Sequence, residues 1–114
     1  MNIKRGDIFL AALDPAMGRE ISKTRPVVVV SNDKNNEFSG TVTILPITSK
    51  NTQVIYPFEV FLPLGNANLP KVSKIKADQI RTLDKSRLIK QLGVLDKNDV
   101  DAMDSAMKIH LALS

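Results

Sequence analysis

PVVVVS, residues 26 to 31, is an almost unbroken run of β-branched side chains in a chain of 114 residues. Such a run favours extended backbone and is typical of a strand that is buried in a sheet. Its proline stands at the first position, where a missing backbone N–H does least harm to a strand. The run therefore predicts a buried β-strand, and the other predicted elements can be arranged around it.

Several other segments share the short apolar or β-branched character of strands and are separated by turn-forming residues. Asn32–Gly40 is rich in Asn, Asp and Gly and is predicted to be a turn. Pro46 indicates an edge strand or a bend in the segment that contains it. The predicted strands are Asp7–Leu13, Thr41–Thr48, Tyr56–Leu62 and, more weakly, Ser73–Lys76 and Leu88–Leu95.

The C-terminal segment has a helical period instead. Asp96 is a suitable N-cap for a helix over Lys97–Leu113. From Val100 onward its apolar residues recur at helical spacing, and we expect Met103 and Met107 to face the core. Several short strands followed by one helix predict a mostly β chain with a C-terminal α-helix (α+β). We expect a strongly curved sheet or a small SH3-like barrel, in a single domain over residues 1–114.

The composition argues against several classes of chemistry. The chain has no cysteine and one histidine, so thiolate catalysis and a Ser-His-Asp triad are disfavoured. No zinc motif or nucleotide-binding glycine motif is present, and we expect neither a metal nor a cofactor. The net charge of +4 favours a polyanionic partner, either a nucleic acid or an acidic protein. No apolar run approaches membrane-spanning length, so we expect a cytoplasmic protein without a membrane partner.

The loop Asp14–Thr24 is long, polar and charged, which is more typical of a functional segment than of a simple connector. Arg25 follows it directly and stands at the junction with the buried strand. A guanidinium group is planar and matches the oxygens of a phosphate, so Arg25 is a candidate for phosphate recognition. Considered by itself, however, Arg25 is better explained as a residue that flanks a strand and points to solvent.

Six motifs, taken in order along the chain, resemble MazF/PemK (Kid) toxins and extend over nearly all of it. They are RGDI (5–8), LDP (13–15) with Gly18 and Glu20, RPVVVVSND (25–33), PITS (46–49), YPFEV (56–60), and DQIRTLD (78–84) with Arg87-Leu88. The resemblance implies a small barrel like that of CcdB and an endoribonuclease activity.

The resemblance also implies roles for particular residues. Arg25 and Thr48 match the catalytic pair, and Glu20 and Asp78 are candidates for a proton acceptor or an orienting group. The residues alone leave open that Thr48 is an ordinary strand-end threonine and that Glu20 is a solvated loop charge. The residues expected to contact RNA are Arg19, Lys23, Asn32, Ser49, Lys76 and Gln79.

The chain departs from the Kid branch of the family at two positions. Arg19 stands where that branch has a catalytic histidine, and an arginine cannot exchange protons near neutral pH. Lys76 stands where the same branch has an arginine, although the neighbouring Asp78 is present. We therefore expect the MazF arrangement, centred on Arg25 and Thr48.

The expected function is sequence-specific, metal-independent cleavage of single-stranded mRNA through attack by the ribose 2′-hydroxyl. The products are a 2′,3′-cyclic phosphate and a 5′-hydroxyl. The resemblance implies a homodimer that is inhibited by an acidic MazE-like antitoxin. One alternative is a CcdB-like toxin, which binds DNA gyrase and catalyses nothing. Another is a non-catalytic SH3-like module, which the 4% aromatic content disfavours.

Overall fold

The computed structural model describes residues 1–114 as seven strands, two α-helices and three short 3₁₀ turns. The 3₁₀ turns are Asn66–Asn68, Ala77–Gln79 and Lys85–Arg87. The helices are α1 (Asp33–Phe38) and α2 (Lys97–Leu111). The strands are β1 (Asp7–Ala12), β2 (Thr24–Val29), β3 (Thr41–Thr48), β4 (Glu59–Leu62), β5 (Ser73–Lys76), β6 (Arg81–Asp84) and β7 (Leu88–Val94).

All strand pairs are antiparallel and form one sheet in the order β4-β5-β3-β2-β1-β7, with β6 paired to β3. The sheet does not close on itself, because β4 and β7 each have one unpaired edge. The ladder between β1 and β7 contains two register shifts. The prediction of a mostly β chain with a C-terminal helix is confirmed, with an open curved sheet in place of a closed barrel.

The valines of β2 and its C-terminal end are buried on both faces of the sheet. Val27 and Val29 pack in one apolar cluster with Phe9, whereas Val28 and Val30 pack in a second cluster with Met103 of α2. Because successive side chains of a strand alternate between faces, consecutive apolar residues are expected where a core lies on each side of the sheet. The predicted buried strand is thus confirmed as a central strand of the sheet. Its bounds differ from the prediction, because β2 begins at Thr24 and ends at Val29, and Pro26 is its third residue and not its first.

Pro46 does not lie on an edge strand, and that alternative of the prediction was wrong. On one side of β3, Ile44 pairs with Arg81 of β6 and Ile47 pairs with Ile75 of β5. Pro46 falls between these two pairings, where β3 changes its partner. No neighbouring strand needs an N–H from β3 there, so a central strand tolerates a proline at this position.

Three other boundaries differ from the predictions. The predicted turn Asn32–Gly40 contains the short helix α1, which Asn32 caps by accepting the Asn35 N–H at 2.8 Å. The strand predicted at Tyr56–Leu62 begins only at Glu59, since its first residues form a turn. Strand β6 was not predicted, because its sequence RTLD has a single fully buried apolar residue.

Helix α2 packs on the second cluster and follows the prediction closely. Asp96 caps it by accepting the Asp99 N–H at 2.9 Å, and Met103 is fully buried. The helix ends at Leu111, two residues before the predicted end, because Ala112 adopts a left-handed conformation. Neither helix has the length and apolar character that crossing a lipid bilayer requires.

Gly93 of β7 provides a test of the packing. A Cβ atom at this position would lie 2.5 Å from the backbone oxygen of Ala67, a group that cannot move away like a flexible side chain. We expect Gly93→Ala to lower the free energy of unfolding by about 1–3 kcal/mol, the usual cost of overpacking. Chemical denaturation measures the change.

Gly40→Ala is the matched control, because a Cβ atom on Gly40 would have no neighbour within 4 Å. We expect it to change stability by no more than about 0.5 kcal/mol, as most surface substitutions do. Equal stability of the two variants would contradict the close approach of residues 67 and 93.

Candidate active site

Arg25 and Thr48 lie together because of the pairing between β2 and β3. In this antiparallel register Val27 faces Pro46. Extending the register by two residues brings Arg25, near the start of β2, opposite Thr48, the last residue of β3. Opposed side chains on antiparallel strands lie on the same face and within contact of each other. The fold therefore joins two residues that are far apart in sequence.

Both residues line a cavity of about 180 Å³. Ser49, a predicted RNA contact, lines it as well, and the segment that enters β5 supplies the opposite wall. That wall contains Lys71 and Ser73, which the sequence analysis missed. No motif marks these two residues, and only the pairing of β5 with the end of β3 places them here. The full lining is Arg25, Pro26, Ile47, Thr48, Ser49, Leu69, Pro70, Lys71 and Ser73.

Arg25 is half-buried and is oriented by one contact. Its Nε donates to the backbone oxygen of Ser22 at 3.2 Å. Its two terminal nitrogens have no hydrogen-bond or ion-pair partner within the protein. The guanidinium group is thus held from one side, while the edge that can take two oxygens of an anion stays free.

Thr48 is oriented by the turn that follows it. Its Oγ1 accepts the backbone N–H of Lys50 at 3.1 Å, which leaves the hydroxyl hydrogen available to another acceptor. Across the cavity, the Ser73 Oγ donates to the backbone oxygen of Lys71 at 2.9 Å. The cavity therefore combines fixed hydroxyl groups with two cationic side chains, Arg25 and Lys71, a combination suited to an anion.

A second, larger cavity of about 410 Å³ contains four other predicted residues. Glu20 is exposed there, and its Oε1 accepts the Met17 N–H at 2.7 Å. Oδ1 of Asp78 is buried without a hydrogen-bond partner, and it lies 3.8 Å from Nζ of Lys76. The lining residues are Met17, Arg19, Glu20, Asp78, Gln79, Ile80 and Arg81.

The charged loop between β1 and β2 connects the two cavities. Gln79 holds it at its centre, accepting the Ile21 N–H at 3.2 Å and donating to the Arg19 oxygen at 3.1 Å. Arg81 donates to the backbone oxygen of Leu13 at 3.0 Å at the start of the loop. Ser22 lies two residues after Glu20 in the same loop, and its backbone oxygen orients Arg25. The same loop thus shapes both cavities.

The remaining predicted RNA contacts lie elsewhere or are already engaged. Lys23 has an exposed side chain and a left-handed backbone, with its N–H donated to Asp14. Asn32 caps α1 beyond the far end of β2, so the structure separates it from Arg25. Nζ of Lys76 donates to Glu59 at 2.9 Å. No group of three or more His, Asp or Glu side chains is arranged to hold a metal ion.

Comparisons with known proteins agree with this architecture. The family model of PemK-like, MazF-like toxins of type II toxin–antitoxin systems matches residues 4–111. The chain is 38% identical over 116 residues to endoribonuclease MazF9 of Mycobacterium tuberculosis, covering 97% of this chain and 98% of that protein.

Solved structures show the same similarity. Against MazF from Deinococcus radiodurans the TM-score is 0.84 at 27% identity, with 98% of each chain covered. Against a chain of the MazE–MazF complex from the same organism, the TM-score is 0.79 at 28% identity, covering 100% of this chain and 99% of that one. Because the family model and the relative from M. tuberculosis both match nearly all of its length, the chain belongs to the PemK-like, MazF-like toxin family of type II toxin–antitoxin systems.

Proposed function

We propose that the chain is a toxin that cuts single-stranded mRNA at specific sequences without a metal ion. Its similarity to an endoribonuclease supports RNA cleavage as the reaction, and the CcdB-like alternative is not favoured. The observation that carries the proposal is the cavity shared by Arg25 and Thr48, at the junction of two paired strands. A poison that only binds gyrase has no need of a free guanidinium group opposite a fixed hydroxyl.

The chemistry uses a nucleophile that RNA itself provides. The ribose 2′-oxygen attacks the adjacent phosphorus, which forms a P–O2′ bond and breaks the P–O5′ bond. A proton leaves the 2′-hydroxyl, and a proton is delivered to the departing 5′-oxygen. The products are a 2′,3′-cyclic phosphate and a 5′-hydroxyl end. The protein has to accept and deliver protons and stabilise the negative charge that develops on the phosphate.

Arg25 is suited to stabilising that charge. Its free terminal nitrogens match two phosphate oxygens, and its Nε contact with Ser22 fixes the orientation before RNA arrives. A preorganised, half-buried cation needs little rearrangement during the reaction and acts in surroundings less polar than water. Because arginine stays protonated near neutral pH, Arg25 serves as an electrostatic group and not as the base.

Thr48 supplies a hydroxyl donor beside Arg25 in the same cavity. Since its oxygen accepts the Lys50 N–H, its hydrogen is free to donate to a phosphate oxygen or to the departing 5′-oxygen. Glu20 and Asp78 remain the two candidates for the proton acceptor, and both line the neighbouring cavity. The shared loop is the element through which RNA in one cavity is positioned relative to the other.

The expected partners follow from the same proposal. Single-stranded RNA exposes base edges, which a cavity with charged and amide groups such as Arg19, Asp78 and Gln79 can recognise. The relative from D. radiodurans forms a MazE–MazF complex, and an acidic antitoxin would complement the net charge of +4 of this chain. A homodimer and a cytoplasmic location belong to this proposal as well, the latter because mRNA is the substrate.

Purified protein incubated with RNA in excess EDTA tests the proposal directly. We expect cleavage to persist and the new ends to carry a 5′-hydroxyl and a 2′,3′-cyclic phosphate. A 2′-deoxy nucleotide on the 5′ side of the cut should block that cut, because it removes the nucleophile. Cleavage that requires an added divalent ion would contradict metal independence, and gyrase inhibition without any RNA cleavage would support the CcdB-like alternative.

Arg25→Ala tests the stabilising cation. We expect kcat/KM for RNA cleavage to fall by at least about 10²-fold, the effect of removing one preorganised donor in other enzymes. Lys34→Ala is the control, because it removes the same charge from an exposed position on α1. If both variants cleave at similar rates, the role assigned to Arg25 is wrong.

Thr48→Ala and Thr48→Ser together test the hydroxyl donor. The alanine variant removes the hydroxyl, and we expect a loss of about 10-fold or more in kcat/KM, equivalent to a hydrogen bond with a charged group. The serine variant keeps the hydroxyl and should retain most of the activity. Equal losses in the two variants would indicate that the methyl group matters, and that Thr48 is a structural strand-end residue.

A further inference from the structure

Glu59 is a completely buried carboxylate that two lysines contact. Its Oε1 lies 2.9 Å from Nζ of Lys74, and its Oε2 lies 2.9 Å from Nζ of Lys76. The side chains of Glu59 and Lys74 are 0% and 4% exposed. Lysine and glutamate are almost never buried to this extent unless they are paired. A buried ion pair is weak evidence of a contribution to stability, so its position needs another explanation.

The surroundings of Glu59 favour its ionised form. Burial by itself would raise the pKa of Glu59. The Tyr56 N–H and the two ammonium groups outweigh this effect, and the pKa of Glu59 is lowered below its usual value. Lys74 makes further contacts, since its Nζ donates to the backbone oxygen of Val54 at 3.0 Å and lies 5.9 Å from the centre of the Tyr56 ring.

These contacts hold the segment Ser49–Phe58, which we name the β3–β4 loop. For its middle part, Asn51–Tyr56, all hydrogen bonds to the rest of the protein come from Lys74 or Glu59. Lys74 binds the Val54 oxygen, and Glu59 accepts the Tyr56 N–H at 3.0 Å. The side chains of Val54, Ile55 and Tyr56 are 52%, 40% and 53% exposed. The Tyr56 ring stacks on Phe58, with ring centroids 5.6 Å apart, so this aromatic contact holds the loop together with the polar contacts of Lys74 and Glu59.

The β3–β4 loop begins at the candidate active site. Thr48 is paired with Lys74 in the register of β3 and β5, and Ser49, the first residue of the loop, lines the Arg25 cavity. The residue before Lys74, Ser73, lines the same cavity. On the other side, Lys76 lies between Glu59 and the partnerless Oδ1 of Asp78. The ion cluster therefore lies beneath the loop and between the two cavities.

We propose that Lys74 and Glu59 are positioning residues, whose buried ion pair holds the β3–β4 loop beside the Arg25–Thr48 cavity and thereby determines how single-stranded RNA is bound for cleavage. This inference rests on the proposed function, because it takes RNA as the substrate. Neither residue contacts the reacting phosphate. Their effect is on substrate binding and on the choice of cleavage site, more than on the chemical step.

Lys74→Met is the most direct test, because Glu59 keeps Lys76 as a counter-charge. We expect KM for RNA to rise by about tenfold, the loss that corresponds to one charged hydrogen bond, while kcat changes much less. Mapping of the RNA ends should show additional cleavage sites. Lys97→Met is the control, because Lys97 is 87% exposed and its loss changes the net charge by the same amount.

A second readout does not depend on activity. Tyr56 is the only tyrosine, and there is no tryptophan, so the intrinsic fluorescence reports on the loop alone. We expect Lys74→Met, without RNA, to make Tyr56 more accessible to a neutral quencher such as acrylamide, and Lys97→Met to leave it unchanged. If Lys74→Met does not fold, the double variant Lys74→Met/Glu59→Gln removes both charges of the pair and should show the same release of Tyr56.

The outcomes separate the two proposals. A wild-type protein that cleaves no RNA refutes the proposed function, whereas the fluorescence still tests the anchoring of the loop. A wild-type protein that cleaves, beside a folded Lys74→Met variant with unchanged KM and cleavage sites, refutes the positioning role. Equal effects of Lys74→Met and Lys97→Met on KM would also refute it, because net charge would then explain the change.

Discussion

The antiparallel pairing of β2 with β3 is the constraint on which the site depends. In this pairing Val27, Val28 and Val29 face Pro46, Leu45 and Ile44, and a shift of one residue would turn every side chain of one strand toward the other cluster. The same register sets Arg25 opposite Thr48. The position of Arg25 relative to Thr48 is thus a consequence of the packing of the two apolar clusters.

Arginine and glutamine side chains organise the charged loop through its backbone. Arg25, Arg81 and Arg87 each donate to a carbonyl oxygen in or beside this loop, and the amide group of Gln79 binds the middle of the loop through both its oxygen and its nitrogen. Carbonyl groups of an irregular segment need partners, and these side chains supply them without regular secondary structure. The cations therefore have two roles, because those that shape the loop also give the surface its positive character.

The strands with strong local patterns were predictable from the sequence, whereas the partners that depend on tertiary contacts were not. The run at 26–31 and the cap at Asp96 act locally, and both predictions were confirmed. Pro46 predicts an edge strand or a bend, because nothing in the local sequence shows that β3 changes its pairing partner there. The sequence of helix α1 predicts a turn, since its six residues are mostly polar and Asn32 suits a turn as well as a helix cap. The same contrast applies to the candidate site. Arg25 and Thr48 could be identified from the family motifs, whereas no sequence motif marks Lys71, Ser73 or the buried Lys74.

The irregular ladder between β7 and β1 affects how this protein can associate with other chains. A free sheet edge offers a row of backbone donors and acceptors to which a second chain can add as a strand. The ladder that joins β7 to β1 contains two register shifts, which make β7 an irregular strand, and Lys90 adds an exposed charge to it. Such an edge is a poor template for strand addition or for aggregation. Association on this side of the molecule must therefore use side chains, whose identity discriminates between partners in a way that a backbone edge does not.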